Sequence, residues 1–151
     1  MKRILAAAVV AIAIAAPAVA SASTSGSARG AGTVLSYGTT GGTAFFRIDF
    51  SKGKGGKILY ANRKAHVYFH SQVIGAPRFT ATAMKVRGWG FVNGKLVPFT
   101  AVATDHPAPI GDWFKITWGR GAARGGRLTS GNIDISALLA ATTSGGPPSA
   151  R

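Results

Sequence analysis

The chain has 151 residues, of which 18 are Lys or Arg and only 4 are acidic, so its formal net charge is +14. Cysteine is absent, which excludes disulfide cross-links and lipid attachment at a leader cysteine. So strong a positive field attracts nucleic acid, anionic lipid surfaces or acidic cell-wall polymers. The alternative is that the charge only keeps an exported protein in solution.

The N-terminus has the three regions of a secretory signal peptide. Lys2 and Arg3 precede an apolar run over residues 4–16, and two overlapping small-residue patterns, Ala18-Val19-Ala20 and Ala20-Ser21-Ala22, supply alternative cleavage sites. We predict a signal peptide over residues 1–22 and a secreted protein, either extracellular or associated with the cell envelope. The alternative is an uncleaved anchor helix, because the run approaches the ~20 apolar residues that span a bilayer. Cleavage removes two cations and lowers the formal charge from +14 to +12.

The two ends of the mature chain contain few side chains suited to a core. Residues 23–32 are Ser, Thr, Gly, Ala and one Arg, and we predict a flexible lead-in. Residues 142–151 are predicted to be a flexible tail for the same reason. Residues 33–141 should form a single β-domain, because they contain all 8 Phe, 3 Trp and 3 Tyr residues of the chain.

Strand-type segments alternate with glycine-rich turns in this domain, which is typical of an all-β fold. The segment 43–50 is the clearest strand, because Ala44, Phe46, Ile48 and Phe50 share one face, which we expect to be buried. About eight antiparallel strands are predicted, at residues 33–37, 43–50, 57–62, 65–74, 79–92, 95–104, 112–118 and 132–136.

The connections between these strands favour an up-and-down barrel over a two-layer sandwich, although hydrophobic periodicity does not decide between them. Asn93-Gly94 predicts a type I′ hairpin turn, since both central residues of that turn need positive φ. Gly88 and Gly90 are expected to bend or bulge the long strand at 79–92.

His66 and His70 would form a metal pair on a helix, but their segment is predicted to be a strand. Four residues of strand span about 13 Å, which is too far for two imidazoles to bind one ion. We therefore predict no metal site, and instead a polar row of His66, Tyr68, His70 and Gln72 that faces solvent or a wet barrel interior.

Asp105, His106 and Asp112 share one loop and resemble part of a hydrolase site, because an Asp can orient a His for general-base catalysis. The sequence offers no cysteine and no serine in a Gly-x-Ser-x-Gly elbow as nucleophile. A polar turn in which the Asp side chains accept backbone N–H groups is the simpler explanation. Residues 52–57 resemble a phosphate-binding loop, but Ile58 stands where Ser or Thr would hold magnesium.

The stretch 119–130 is rich in Gly and Arg, which predicts either a mobile cationic loop that follows a polyanion or a merely solvated loop. In an eight-strand meander, alternate loops share one end of the barrel. We therefore expect six cations at one rim, as a polyanion-binding site: Arg63, Lys64, Lys95, Arg120, Arg124 and Arg127. The opposite rim would carry Asp105, His106, Asp112, Lys52 and Lys54, so the charge of the molecule would be polarised.

Several short motifs follow one another over residues 30–135. They are Gly30-Ala31-Gly32, Thr43-Ala44-Phe45-Phe46, Gly56-Lys57-Ile58-Leu59-Tyr60, Gly88-Trp89-Gly90 with Asn93-Gly94, Asp105, Gly111-Asp112-Trp113-Phe114-Lys115-Ile116 and Gly131-Asn132-Ile133. This ordered set resembles the post-COAP family of small secreted β-domains from high-GC Gram-positive bacteria. The resemblance implies an all-β extracellular domain of unknown function without accepted catalytic residues.

We therefore predict a secreted, non-enzymatic binding or envelope-associated domain with no cofactor. Its expected partner is an anionic cell-surface polymer or nucleic acid, bound through the basic surface. The alternative is a barrel that encloses a small apolar ligand, as eight-stranded barrels can. That alternative requires that the tryptophans and phenylalanines leave space in the barrel interior. The sequence does not indicate an oligomeric state.

Overall fold

The computed structural model describes residues 25–36, 41–51, 55–121 and 123–137, and within them the fold is all-β. The predicted signal peptide, the predicted tail, and Lys52 and Lys54 lie outside the described residues. No described segment forms a helix that could cross a membrane. The strands are β1 (Gly26–Leu35), β2 (Thr43–Phe50), β3 (Gly56–Asn62), β4 (Val67–Ile74), β5 (Arg78–Phe79), β6 (Ala83–Val92), β7 (Lys95–Thr104), β8 (Trp113–Trp118) and β9 (Arg124–Ala137).

Eight of these strands close an antiparallel barrel in the order β1, β2, β3, β4, β6, β7, β8, β9, with β9 paired back to β1. The β4–β6 ladder completes the ring, from Phe69 opposite Val92 to Ile74 opposite Gly88. The two-residue β5 pairs with the start of β6, along the same edge of β6 that pairs with β4 further on. The predicted up-and-down barrel is therefore confirmed, and the two-layer sandwich is excluded.

Alternation along each strand places apolar side chains inside the barrel. The four side chains predicted for the inner face of β2 are at most 2% exposed. Aromatic rings then meet across the interior: Phe46 stacks on Phe114 of β8 with 4.4 Å between ring centroids, and Phe69 of β4 stacks on Trp118 of β8 at 5.8 Å. These pairs join strands that are not neighbours, so at their level the interior is filled by side chains.

β1 and β9 are longer than predicted. β1 begins at Gly26, inside the predicted lead-in, and β9 begins at Arg124, inside the predicted loop at 119–130. Both predictions were wrong, because the glycines that suggested loops are required for close strand approach: a Cβ at Gly32 or Gly131 would collide with a backbone oxygen of the partner strand. The lead-in also contributes to the core, since Ala28 is fully buried.

The segment predicted as one strand at 79–92 is divided between β5 and β6, with a turn over residues 80–82. The expected bulge lies in β4, where the register shifts between Ser71 and Val73, and not at Gly88 or Gly90. The two glycines instead allow the close approach of the β4 backbone and of inward-pointing rings. A Cβ at Gly90, for example, would lie 2.6 Å from the ring of Phe69.

The Asn93-Gly94 turn is confirmed, with φ of 48° at Asn93 and 81° at Gly94. The Asn93 side chain also connects this hairpin to the start of β4. Its Oδ1 accepts a hydrogen bond from the Tyr68 amide at 2.8 Å, and its Nδ2 donates to the His66 carbonyl oxygen at 2.7 Å. The turn therefore contributes to barrel closure as well as to its own hairpin.

Replacing Asn93 with Ala should destabilise the domain. The substitution removes both side-chain hydrogen bonds and places a residue that disfavours positive φ in the turn, so the free energy of unfolding should fall by about 2–3 kcal/mol. Urea denaturation of the purified domain measures this change. The control is Asn132→Ala in β9, an exposed asparagine expected to change stability by less than about 0.5 kcal/mol. Equal effects of the two substitutions would contradict the closing role of Asn93.

Candidate functional site

Four of the six predicted cations lie at one end of the barrel, which we call the upper rim. Arg63 and Lys64 occupy the β3–β4 turn, Lys95 follows the β6–β7 turn, and Arg120 lies in the β8–β9 connection. All four residues are exposed. The topology thus brings together cations that are separated by up to 57 positions in the chain, as the meander predicted.

Arg124 and Arg127 do not belong to a mobile loop with Arg120, and that prediction was wrong. Because β9 begins at Arg124, both arginines are strand residues, and Arg124 lies opposite Ile116. Arg127 lies opposite Trp113, near the lower end of the barrel, where its guanidinium donates to the carbonyl oxygen of Pro109. Arg127 therefore helps to hold the β7–β8 loop.

The carboxylates of Asp105 and Asp112 lie at the lower end of the barrel, opposite the upper rim, as predicted. Asp112 is 9% exposed, and its two oxygens accept hydrogen bonds from the amides of His106 at 3.1 Å and Ile133 at 2.7 Å. Asp105 accepts from the amide of Ile135 at 3.2 Å. The simpler explanation of this loop is confirmed: the Asp side chains bind backbone N–H groups of β9.

Replacing Asp112 with Asn should remove much of this support. An amide NH₂ would face one of the two backbone donors and leave it unpaired in a buried place, so the free energy of unfolding should fall by about 2–4 kcal/mol. Thermal or urea denaturation measures the loss. Asp134→Asn is the matched control, because Asp134 is exposed on β9 and its change should stay within about 0.5 kcal/mol. If Asp112→Asn left the free energy of unfolding unchanged, β9 would not need this acceptor.

A second group of exposed cations, not identified from the sequence, lies on the outer wall of the barrel. We call Arg78, Lys85, Arg87 and Lys115 the wall cluster. Arg78 of β5 lies opposite Lys85 of β6, and Lys85 and Lys115 both lie opposite Val102 of β7, one on each side. The sequence alone shows that Lys85 and Arg87 share a face of β6, because they are two residues apart. The position of Lys115 on the same wall follows only from the order of strands in the structure.

The upper rim and the wall cluster together form what we call the basic side of the barrel. No acidic residue occurs in strands β3 to β8. Acidic side chains of the sheet lie on the other side: Asp49 of β2 forms an ion pair of 3.5 Å with Arg29 of β1, and Asp134 of β9 lies opposite Arg29 in the ladder. The acidic side chains of the sheet thus lie on the side of the barrel opposite the basic side.

The polar row predicted on β4 faces solvent. Tyr68, His70 and Gln72 are exposed along the strand, and His66 lies in the preceding turn with φ of 51°. Among the described residues, no group of three His, Cys, Asp or Glu side chains could hold a metal ion.

No model of a known protein family matches this chain, and neither does a curated protein or a solved structure. The resemblance to the post-COAP family therefore stays a prediction.

Proposed function

We propose that this chain is an exported, non-enzymatic domain that binds an anionic polymer through its basic side. The observation that carries the proposal is the separation of charge. Eight exposed cations of the upper rim and the wall cluster have no carboxylate partner among the described residues, and the strands between them contain no acid. Cations without acidic neighbours create a positive potential on their side of the molecule, which attracts a polymer of negative charge.

The packing of the barrel interior favours a binding surface on the outside. The stacked rings of Phe46 and Phe114, and of Phe69 and Trp118, occupy the space that an enclosed apolar ligand would need. Trp89 and Trp113, which the sequence left as candidates for lining the interior, are 49% and 44% exposed on the outer surface. The alternative of a small-ligand barrel has no comparable observation in its favour.

Binding through the basic side should depend on which cations are present and not only on their number. We expect that removing Arg63 and Lys95 from the upper rim, or Lys85 and Lys115 from the wall cluster, by substitution with Gln weakens retention on immobilised heparin, a sulfated polysaccharide. Affinity falls as salt rises, and each pair of substitutions should make the slope of log affinity against log salt less steep by about 1–2. Elution of the purified mature domain across a NaCl series measures the effect.

The matched control is Arg47→Gln with Lys57→Gln. This pair removes the same charge from exposed positions on β2 and β3, near the carboxylate of Asp49. It should elute close to the unmodified domain. If all three double variants elute together, the charge acts diffusely and a localised basic side is refuted. Failure of the unmodified domain to bind at low salt would refute polymer binding itself.

A further inference from the structure

A face without Lys, Arg, Asp or Glu lies on the outer wall between the upper rim and the wall cluster. Its side chains form two rows across β4, β6 and β7, and we call them together the aromatic face. Val73 is 59% exposed, and Trp89 and Leu96 are 49% exposed each. Contiguous exposed apolar side chains on a small soluble domain mark binding surfaces. One row is His70, Phe91 and Leu96, and the other is Val73, Trp89 and Pro98.

An open groove along this face reaches from Arg87 of the wall cluster to the start of the β8–β9 connection. Trp89, Pro98 and Thr100 line it, with Arg87 of the wall cluster on one side and Gly119 on the other. Gly119 directly precedes Arg120 of the upper rim, and its amide donates to the Pro98 carbonyl oxygen at 2.9 Å. The groove therefore runs from the wall cluster, past a half-exposed tryptophan, to Gly119, the residue next to Arg120 in the chain.

We propose that this groove binds single-stranded nucleic acid, with a base stacked on Trp89 and phosphates next to Arg87 and Arg120. This inference rests on the proposed function and specifies its polymer. Single-strand binding sites combine a positive groove that follows the phosphates with aromatic side chains that stack on bases. Arg87 and Trp89 are two residues apart on the same face of β6, so their Cα atoms lie roughly 6–7 Å apart along the strand.

The arrangement favours a nucleic acid strand over an anionic lipid surface. A lipid-binding surface needs apolar side chains that project beyond its cations, so that they enter the bilayer. Here the apolar side chains lie on the wall between two cation clusters, in the middle of paired strands. A double helix is also disfavoured, because its bases are stacked on one another and offer no free ring face to Trp89.

The test compares two probes of equal length and charge, with and without bases. We expect the domain to bind an oligothymidylate of about 12 nucleotides roughly 5- to 100-fold more tightly than an abasic deoxyribose-phosphate strand. Trp89→Ala should abolish most of that difference and leave the affinity for the abasic strand unchanged. Fluorescence anisotropy of labelled probes at constant salt measures both affinities.

Two further variants keep the result interpretable. Trp113→Ala removes an indole of similar exposure, 44%, from the outer face of β8, and should bind both probes as the unmodified domain does. Trp89→Phe retains a ring and should recover much of the preference for bases. Equal affinity for the two probes, equal effects of Trp89→Ala and Trp113→Ala, or preferential binding to phosphatidylserine vesicles would overturn this inference. Equal, salt-sensitive binding of both probes would leave the proposed function standing, whereas no binding of either would refute it as well.

Discussion

The barrel depends on the hydrogen bonds that the backbone N–H groups of β9 form along both edges of the strand. β9 pairs with β1 from residue 128 onwards but with β8 only over residues 124–127. Beyond that point, the β7–β8 loop replaces a strand: the Asp112 carbonyl oxygen accepts from the Leu128 amide, and the carboxylates of Asp112 and Asp105 accept from the amides of Ile133 and Ile135. Without these acceptors the barrel would carry an open sheet edge.

This closure also shapes the charge of the molecule. Of the four acidic side chains, two are bound to backbone amides at the lower end, and Asp49 and Asp134 lie beside Arg29. The strands from β3 to β8 are left with cations alone. Among the described residues, the excess of positive charge is thus concentrated on one side, where it acts over roughly a Debye length of 8–10 Å at moderate salt.

The filled interior and the exposed aromatic face have the same cause. Side chains alternate between the inside and the outside of the barrel along each strand, and the position of each aromatic residue decides which side it faces. Trp118 faces inward and stacks on Phe69, whereas Trp89 and Trp113 face outward. Gly90 on the inner face of β6 leaves the space that the Phe69 ring occupies. Aromatic residues therefore provide both the core and an external surface, and the nucleic-acid binding that we infer uses the external one.

Local backbone geometry is what the sequence by itself determined: the all-β class, the inner face of β2, the Asn93-Gly94 turn and the end of the barrel at which Arg63, Lys64, Lys95 and Arg120 lie. Each follows from a period of two, a positive φ or the alternation of loops in a meander. Only the tertiary structure decided the extent of β1 and β9, the place of Arg127, and the grouping of Lys85 with Lys115. Those features depend on which strand, distant in the sequence, lies alongside. The alternation of apolar and polar residues predicts which side chains face solvent, but it does not identify the cross-strand neighbour.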